Sequence, residues 1–251
     1  MKPYFETSRG RLYNGDCIEI MKEIEDKSVD MVLCDLPYGT TANKWDSVIP
    51  FDKLWNEYKR ICKNNAAIVL FSQPPFNIHL AMSNIKWFKY EWIWNKEQGT
   101  GFLNAKNAPL KITENILVFY KSKPIYNPQI RTGFKPYIAK QGSKSTNYNN
   151  KNNKNNNIVT NSNGERYPIN LLEFTRDKHK LHPTQKPIAL CEYLINTYTN
   201  EGLTVLDNTA GSGSTLIAAE KLNRKWIGIE IGKEYCDIIK QRLNSVDAVL
   251  P

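Results

Sequence analysis

Apolar residues along the chain fall into short blocks that switch between two periods. Val29-Asp30-Met31-Val32-Leu33-Cys34 is a compact run with β-branched members, the pattern of a strand buried on both faces of a parallel sheet. Ala66-Ala67-Ile68-Val69-Leu70-Phe71 is a second such run, halted by Pro74 and Pro75. Between them, residues 53–62 place Leu54, Trp55, Tyr58, Ile61 and Cys62 at helical spacing. Further strands are predicted at 90–94 and 116–120. The alternation resumes with a helical pattern over 188–198 and a strand at 203–206. A helix then runs from Gly211-Ser212-Gly213 to Asn223, followed by a strand at 226–229 and a helix over 233–243. Strands alternating with helices predict the α/β class, a mostly parallel sheet with helices on both faces. Neither block is large enough to stand alone, so the two are expected to complete one sheet. No internal repeat is evident.

The middle of the chain breaks this pattern. Between Asn147 and Asn163, 10 of 17 residues are Asn, interspersed with Lys, which cannot build a core. A flexible loop over 144–163, or an insertion that orders on a partner, is expected. The charge follows the same boundary. Residues 131–186 hold 11 Lys or Arg against 3 Asp or Glu, a net of +8 out of +9 for the whole chain. A local basic field attracts a polyanion, and a solvated Lys-rich loop has the same composition. Charge alone leaves both readings open.

Five cysteines, an odd number with no C-x-x-C spacing, argue against a disulfide framework or a zinc ribbon. His179 and His182 lie close together, but no cysteine or carboxylate pattern completes a metal site. No apolar run approaches the roughly 20 residues of a membrane span. Met1 to Leu12 is polar and lacks a signal-peptide stretch, so a cytoplasmic location away from membranes is expected.

Two segments carry candidate chemistry. Val205-Leu206-Asp207-Asn208-Thr209-Ala210-Gly211-Ser212-Gly213-Ser214-Thr215 reads as a strand, a small-residue turn and a helix start. Glycines let a ligand approach the backbone, and the helix N-terminus favours an anionic group. Glu230 ends the next predicted strand, where a carboxylate can accept both hydroxyls of a ribose. A dinucleotide fingerprint would need glycine at 216, and Leu216 stands there, which disfavours hydride transfer with NAD. The carboxylate of a methionine moiety suits the turn instead.

Asp35-Leu36-Pro37-Tyr38 follows the first predicted strand, at the carboxyl edge where open α/β sheets bind ligands. Pro37 fixes its own φ and pushes Leu36 away from helical geometry. The Asp35 carboxylate and the Leu36 carbonyl can then converge on one spot. An exocyclic base amine is a poor nucleophile because its lone pair is delocalised into the ring. Two acceptors on its hydrogens favour a pyramidal nitrogen, and positioning supplies much of the catalysis. Tyr38 offers a face for a base drawn out of a duplex. Alone, the tetrapeptide is also an ordinary strand-ending turn. Gln73-Pro74-Pro75-Phe76 has a similar outline, but Gln73 is neutral, and this stretch reads as a strand stop leading into a helix.

Together these residues resemble the amino-methyltransferases of DNA, specifically the circularly permuted beta class, in which the catalytic tetrapeptide comes first, target recognition follows, and the glycine turn comes last. The resemblance covers 12–243. It implies a Rossmann-like class I methyltransferase fold, S-adenosylmethionine as cofactor and double-stranded DNA as partner. Catalysis would fall to Asp35, Leu36, Pro37 and Tyr38, with Asp35 also beside the cofactor. His182-Pro183-Thr184-Gln185-Lys186-Pro187 matches the family's element throughout and implies cofactor contacts from His182, Thr184 and Gln185. The glycine turn lands on Asp207, Asn208, Thr209, Gly211, Gly213, Ser214 and Thr215, and the ribose acid on Glu230. Gly15-Asp16-Cys17 resembles an N-terminal element that puts Asp16 and Cys17 near the adenine of the cofactor.

The chain departs from the family at Leu36, which replaces a proline, and at Asn208-Thr209, which replaces Pro-Phe and removes a phenyl ring from the cofactor pocket. Asp rather than Ser at position 35 resembles adenine-N6 enzymes. The resemblance divides the chain into a catalytic domain of 1–122 with 181–251 and a target-recognition region of 123–180. There Lys and Arg would bind phosphates, and Asn and Gln would pair with adenine edges. Thr40 to Asp46 reads as a loop over the flipped base or a plain surface loop. A restriction endonuclease partner and a homodimer fit the resemblance. Cytosine-N4 transfer, an RNA acceptor and an inactive DNA-binding module remain alternative readings.

Overall fold

The computed structural model describes residues 1–39, 47–140, 158–161, 163–176 and 185–247. The loop expected at 40–46, most of the Asn-rich stretch, and His179, His182 and Thr184 lie outside the described residues. The chain divides into two units, Met1–Asn127 with Asn170–Pro251, and Pro128–Ile169.

The first unit opens with β1 (Phe5–Glu6), β2 (Gly10–Asn14), α1 (Cys17–Met21), β3 (Val29–Asp35) and α2 (Phe51–Ile61). It continues through β4 (Cys62–Ser72), α3 (Phe76–Ser83), β5 (Phe88–Thr100) and β6 (Lys111–Phe119). The second unit holds β7 (Tyr137–Lys140) and β8 (Ile158–Asn161). The chain then returns to the first unit with β9 (Leu171–Glu173), α4 (Ile188–Tyr198), β10 (Thr204–Asp207), α5 (Ser214–Lys221), β11 (Lys225–Glu230) and α6 (Lys233–Asp247).

Nine strands of the first unit form one sheet in the order β1-β2-β11-β10-β3-β4-β6-β5-β9. From β2 to β4 every neighbouring pair is parallel. The two chain blocks do complete one sheet, because β10 inserts beside β3 with Val205 opposite Met31.

The central apolar runs are continuous because both sheet faces are covered. Met31, Leu33, Ala67, Val69 and Phe71 pack into one core with Leu190 and Leu194 of α4, Ile217 of α5 and Ile239 of α6. Val32, Cys34, Ile68 and Leu70 point the other way, onto Ile20 and Met21 of α1, Leu54 and Tyr58 of α2 and Leu80 of α3. That two-residue alternation is the strand period, hidden in the sequence by apolar residues on both faces.

Several boundaries differ from the periodicity. Cys62, at helical spacing after Ile61, has φ −77° and ψ 141° and begins β4. The polar stretch Asn95–Thr100 extends β5, because hydrogen bonds to β6 carry the hairpin beyond its apolar part. β1, β2, α1 and β9 were not foreseen. Each is five residues or shorter, too brief to show a period.

In the second unit β7 and β8 pair antiparallel, and Arg131 bridges Arg166. The Arg166 guanidinium lies 4.4 Å from the Tyr137 ring centroid and 5.4 Å from that of Phe134, while Arg131 lies 5.1 Å from Phe134.

Candidate active site

Because β2, β11, β10, β3 and β4 are consecutive parallel neighbours, their carboxyl ends share one edge of the sheet. In spatial order that edge presents Asp16 just past β2, Glu230, Asp207 and Asp35 at the ends of β11, β10 and β3, and Gln73 just past β4. The antiparallel strands reach the same edge from the other side, with Asn115 opposite Ser72 and Trp94 opposite Glu114. A cavity of 430 Å³ opens there, within the range of small-molecule sites.

The glycine turn forms part of its wall. Asp207 is 4% exposed and accepts the Thr209 N–H at 3.2 Å. Burial pushes its carboxyl up to about 7, against hydrogen bonds from the Thr209 backbone and the Thr215 side chain. The Glu230 carboxylate takes the Gly211 N–H on Oε2 and the Gly232 N–H on Oε1, both at 2.7 Å. Burial raises its pKa, with those N–H groups opposing. Each oxygen keeps a second lone pair for a ligand.

Gly213 adopts φ +81°, and a Cβ there would stand 2.8 Å from Cγ1 of Ile239. It lets the turn pack on α6, and it is not among the residues lining the cavity. Arg242 of α6 donates to the Ser212 carbonyl, and Ser212 Oγ lies 3.4 Å from Gln185 Oε1. Tyr58 of α2 donates to Asn208 Oδ1 at 2.6 Å. Asn208 Nδ2 and Ser214 Oγ are buried without a hydrogen-bond partner among the described residues. Two orphaned polar atoms on a cavity wall fit a polar ligand, because a buried group without a partner is costly. Asp16 caps α1 through the Ile18 and Glu19 N–H groups, and beside it burial raises the Cys17 thiol to about 11. Both residues line the cavity.

Asp35, Leu36, Pro37 and Tyr38 line the cavity as well. The Tyr38 hydroxyl donates to Asp35 Oδ1 at 2.6 Å, and its ring lies 5.0 Å from that of Phe76. The Thr209 hydroxyl donates to the Asp35 carbonyl at 2.9 Å, and its oxygen also lies 2.9 Å from Cys34 Sγ. The glycine turn and the tetrapeptide are thus tied directly across 174 residues of chain.

Three charged residues that the sequence reading passed over complete the site. Lys186 pairs with Asp35 Oδ2, and its ammonium also lies 3.5 Å from Glu114 Oε2. Lys96 holds Glu114 Oε1 at 3.2 Å. Burial raises the Asp35 pKa; Lys186 pulls against that and Glu114 adds to it. Burial disfavours the Lys186 charge, but Asp35 and Glu114 outweigh it and hold the ammonium above the usual lysine range. Burial pushes Glu114 up, yet its two lysines bring it below the ordinary glutamate value. Lys96 is lowered by burial, with Glu114 opposing.

Gln73 does stop its strand, but it also lines the cavity, and Phe76 after it backs Tyr38. The similar outline of the two turns is the sequence signal for this shared placement, which the neutrality of Gln73 masks. Among the described residues no group of three His, Cys, Asp or Glu is placed to hold a metal, and no helix is long and apolar enough to cross a membrane.

Comparison with known proteins places this geometry among DNA-modifying enzymes. Residues 29–241 match the family described as DNA methylase. The type II methyltransferase M.BamHI of Bacillus amyloliquefaciens is 30% identical over 98% of this chain, which spans 60% of that protein's length. The DNA adenine methyltransferase YhdJ of Escherichia coli strain K12 is 29% identical over 93% of this chain and 82% of its own. The crystal structure of the M1.HpyAVI–SAM complex superposes with a TM-score of 0.63 at 27% identity, covering 93% of this chain and all of the other.

Proposed function

The chain belongs to the DNA methylase family, whose members methylate DNA with S-adenosylmethionine, and on that premise we propose that it transfers the methyl group to the N6 amine of adenine at specific DNA sites. The observation that carries this reading is the delivery of Asp35, the glycine turn and Glu230 to one cavity at one sheet edge. Asp at position 35 and the similarity to an enzyme named as an adenine methyltransferase favour adenine over cytosine. The order of tetrapeptide before glycine turn supports the permuted beta class.

The residues present fit S-adenosylmethionine. Ser214 and the first N–H groups of α5 would hold the carboxylate of its methionine part. Glu230 would hold the ribose, and Asp16 and Cys17 would flank the adenine. Asn208 would donate its amide hydrogens. Thr209 offers a hydroxyl where the family carries a phenyl ring. Gln185 fits beside Ser212, and the roles implied for His182 and Thr184 fall on residues outside those described. Bound there, the cofactor supplies an electrophilic methyl group on a sulfonium that leaves readily.

The chain's own residues then have separate tasks. Asp35 and the Leu36 carbonyl accept the two amine hydrogens and localise the nitrogen lone pair. Pro37 keeps that turn rigid. Tyr38, backed by Phe76, stacks on the flipped base, which offsets part of the few kcal/mol that flipping costs. As transfer proceeds, the amine proton passes to the Asp35 carboxylate.

For target recognition we propose residues 123–180, within which 128–169 form a unit carrying Arg131, Lys135 and Arg166. A restriction endonuclease partner, a homodimer and a cytoplasmic location are further proposals on resemblance. Protection of the methylated DNA from cleavage, light scattering and cell fractionation test them.

The main test is to methylate DNA with the purified chain, digest it and weigh the nucleosides. N6-methyladenine is expected. N4-methylcytosine alone would refute the choice of base, and methylation of RNA but not DNA would refute the substrate.

A further inference from the structure

Lys186 has no part in the chemistry described so far, yet it is 8% exposed at the centre of the site. It precedes Pro187, the N-cap of α4, whose φ of −61° and ψ of 134° hold the chain extended before the helix. Its side chain meets two carboxylates from different strands, Asp35 of β3 and Glu114 of β6, and passes 5.0 Å from the Phe71 ring centroid. Lys96 of β5 closes the row behind Glu114. The four charges alternate in sign across β5, β6 and β3, with β4 between the last two, and the lead-in to α4.

An isolated buried ion is expensive, and removing one partner of a buried pair costs more than the pair contributes. A row of this kind therefore fixes its members in place. With Tyr38 on Oδ1 and Lys186 on Oδ2, the Asp35 carboxylate cannot rotate without breaking one of the two bonds. Its remaining lone pairs keep constant directions.

We infer that Lys186 is a positioning residue for methyl transfer: anchored by Glu114, it clamps the Asp35 carboxylate in the single orientation that receives the base amine. This rests on the reading of Asp35 as the amine acceptor. Charge follows from the same geometry. Other titratable groups near Asp35 are Tyr38 on its own turn, Cys34 on β3 and Asp207 on β10, with Arg176 on the same cavity wall. Among the described residues Lys186 is the cation paired with Asp35, so it favours the ionised carboxylate, and Glu114 opposes ionisation.

The test uses the full chain with Lys186→Met, Lys186→Arg and Glu114→Gln, measuring kcat against pH on DNA and S-adenosylmethionine binding by calorimetry. Lys186→Met should lower kcat about 100-fold at neutral pH, the scale of a catalytic group displaced by an ångström. Cofactor affinity should hold. The acidic limb of the kcat profile should move to higher pH, because Asp35 without its cation protonates more readily. Glu114→Gln should move that limb to lower pH, and Lys186→Arg should keep it in place with most of the activity.

Loss of activity at every pH with the limb unmoved would reduce Lys186 to a structural residue and overturn the inference, as would wild-type kinetics. If Lys186→Met does not fold, an unmoved limb in Glu114→Gln overturns it equally. A wild-type chain that methylates no DNA sinks the functional reading beneath it, an outcome seen before any variant is made.

Discussion

Around the glycine turn, Asn208 Nδ2 and Ser214 Oγ lie buried with no hydrogen-bond partner among the described residues, whereas both oxygens of Asp35 are already bonded, one by Tyr38 and one by Lys186. The two halves of the cavity wall are finished to different degrees. The glycine-turn half has polar valences that its own side chains leave open and a ligand can fill. The tetrapeptide half is held by protein groups before any substrate arrives. Binding and chemistry are therefore expected to respond to mutation separately, although a single hydroxyl, Thr209, joins the halves.

The strongest way to break this contrast is Asp35→Ala. Turnover should fall on the order of 1000-fold, as when an oriented electrostatic group is removed from a catalytic site. Calorimetry should find S-adenosylmethionine bound nearly as before. A matching collapse of cofactor affinity would show that the halves are not separable.

Glu230→Ala should do the converse. A charge-assisted hydrogen bond contributes about 1.5–3 kcal/mol, so cofactor affinity should weaken roughly 10- to 100-fold. Saturating cofactor should restore most of kcat. Failure of kcat to recover would place Glu230 in the chemistry.

The smallest effect is expected from Thr209→Val, which keeps the shape and deletes the link to the Asp35 carbonyl. About 1 kcal/mol is at stake, a fivefold to tenfold loss in kcat/KM. A change in affinity without one in kcat would assign Thr209 wholly to the glycine-turn half.

The same contrast explains what could be read from the sequence. The strand ahead of Asp35 and the glycine turn are local: a β-branched run, a proline, two glycines and a helix start carry their geometry in adjacent residues. Helix α4 was legible over Ile188–Tyr198 because its apolar residues recur at the helical period. The Asp35–Lys186–Glu114–Lys96 row has no such signature. Its members come from four places along the chain, and each looks ordinary in its own neighbourhood. Lys96 sits in a polar stretch that resembles a loop, Glu114 lies in the polar run Thr113-Glu114-Asn115 ahead of an apolar strand, and Lys186 precedes a proline. Only the antiparallel pairing of β5, β6 and β4 brings the first two to the edge where β3 ends. The link through Thr209 was hidden for a related reason. The sequence showed the loss of a ring but not the carbonyl that its hydroxyl reaches.

The insertion of β10 between β3 and β11 has a consequence for how the molecule is made. Emerging from the ribosome, β2 and β3 have no partner on their inner edges until residues 204–230 follow them. β3 can pair with β4 early, but its other side stays open while more than half of the chain is synthesised. Contacts between such distant segments form slowly, and an apolar strand with a bare edge invites pairing with another chain. The Asp35 turn cannot take its bond from Thr209 until that gap in the sheet is filled. The nascent chain therefore joins the Asp35 turn to the glycine turn only after β10 is made.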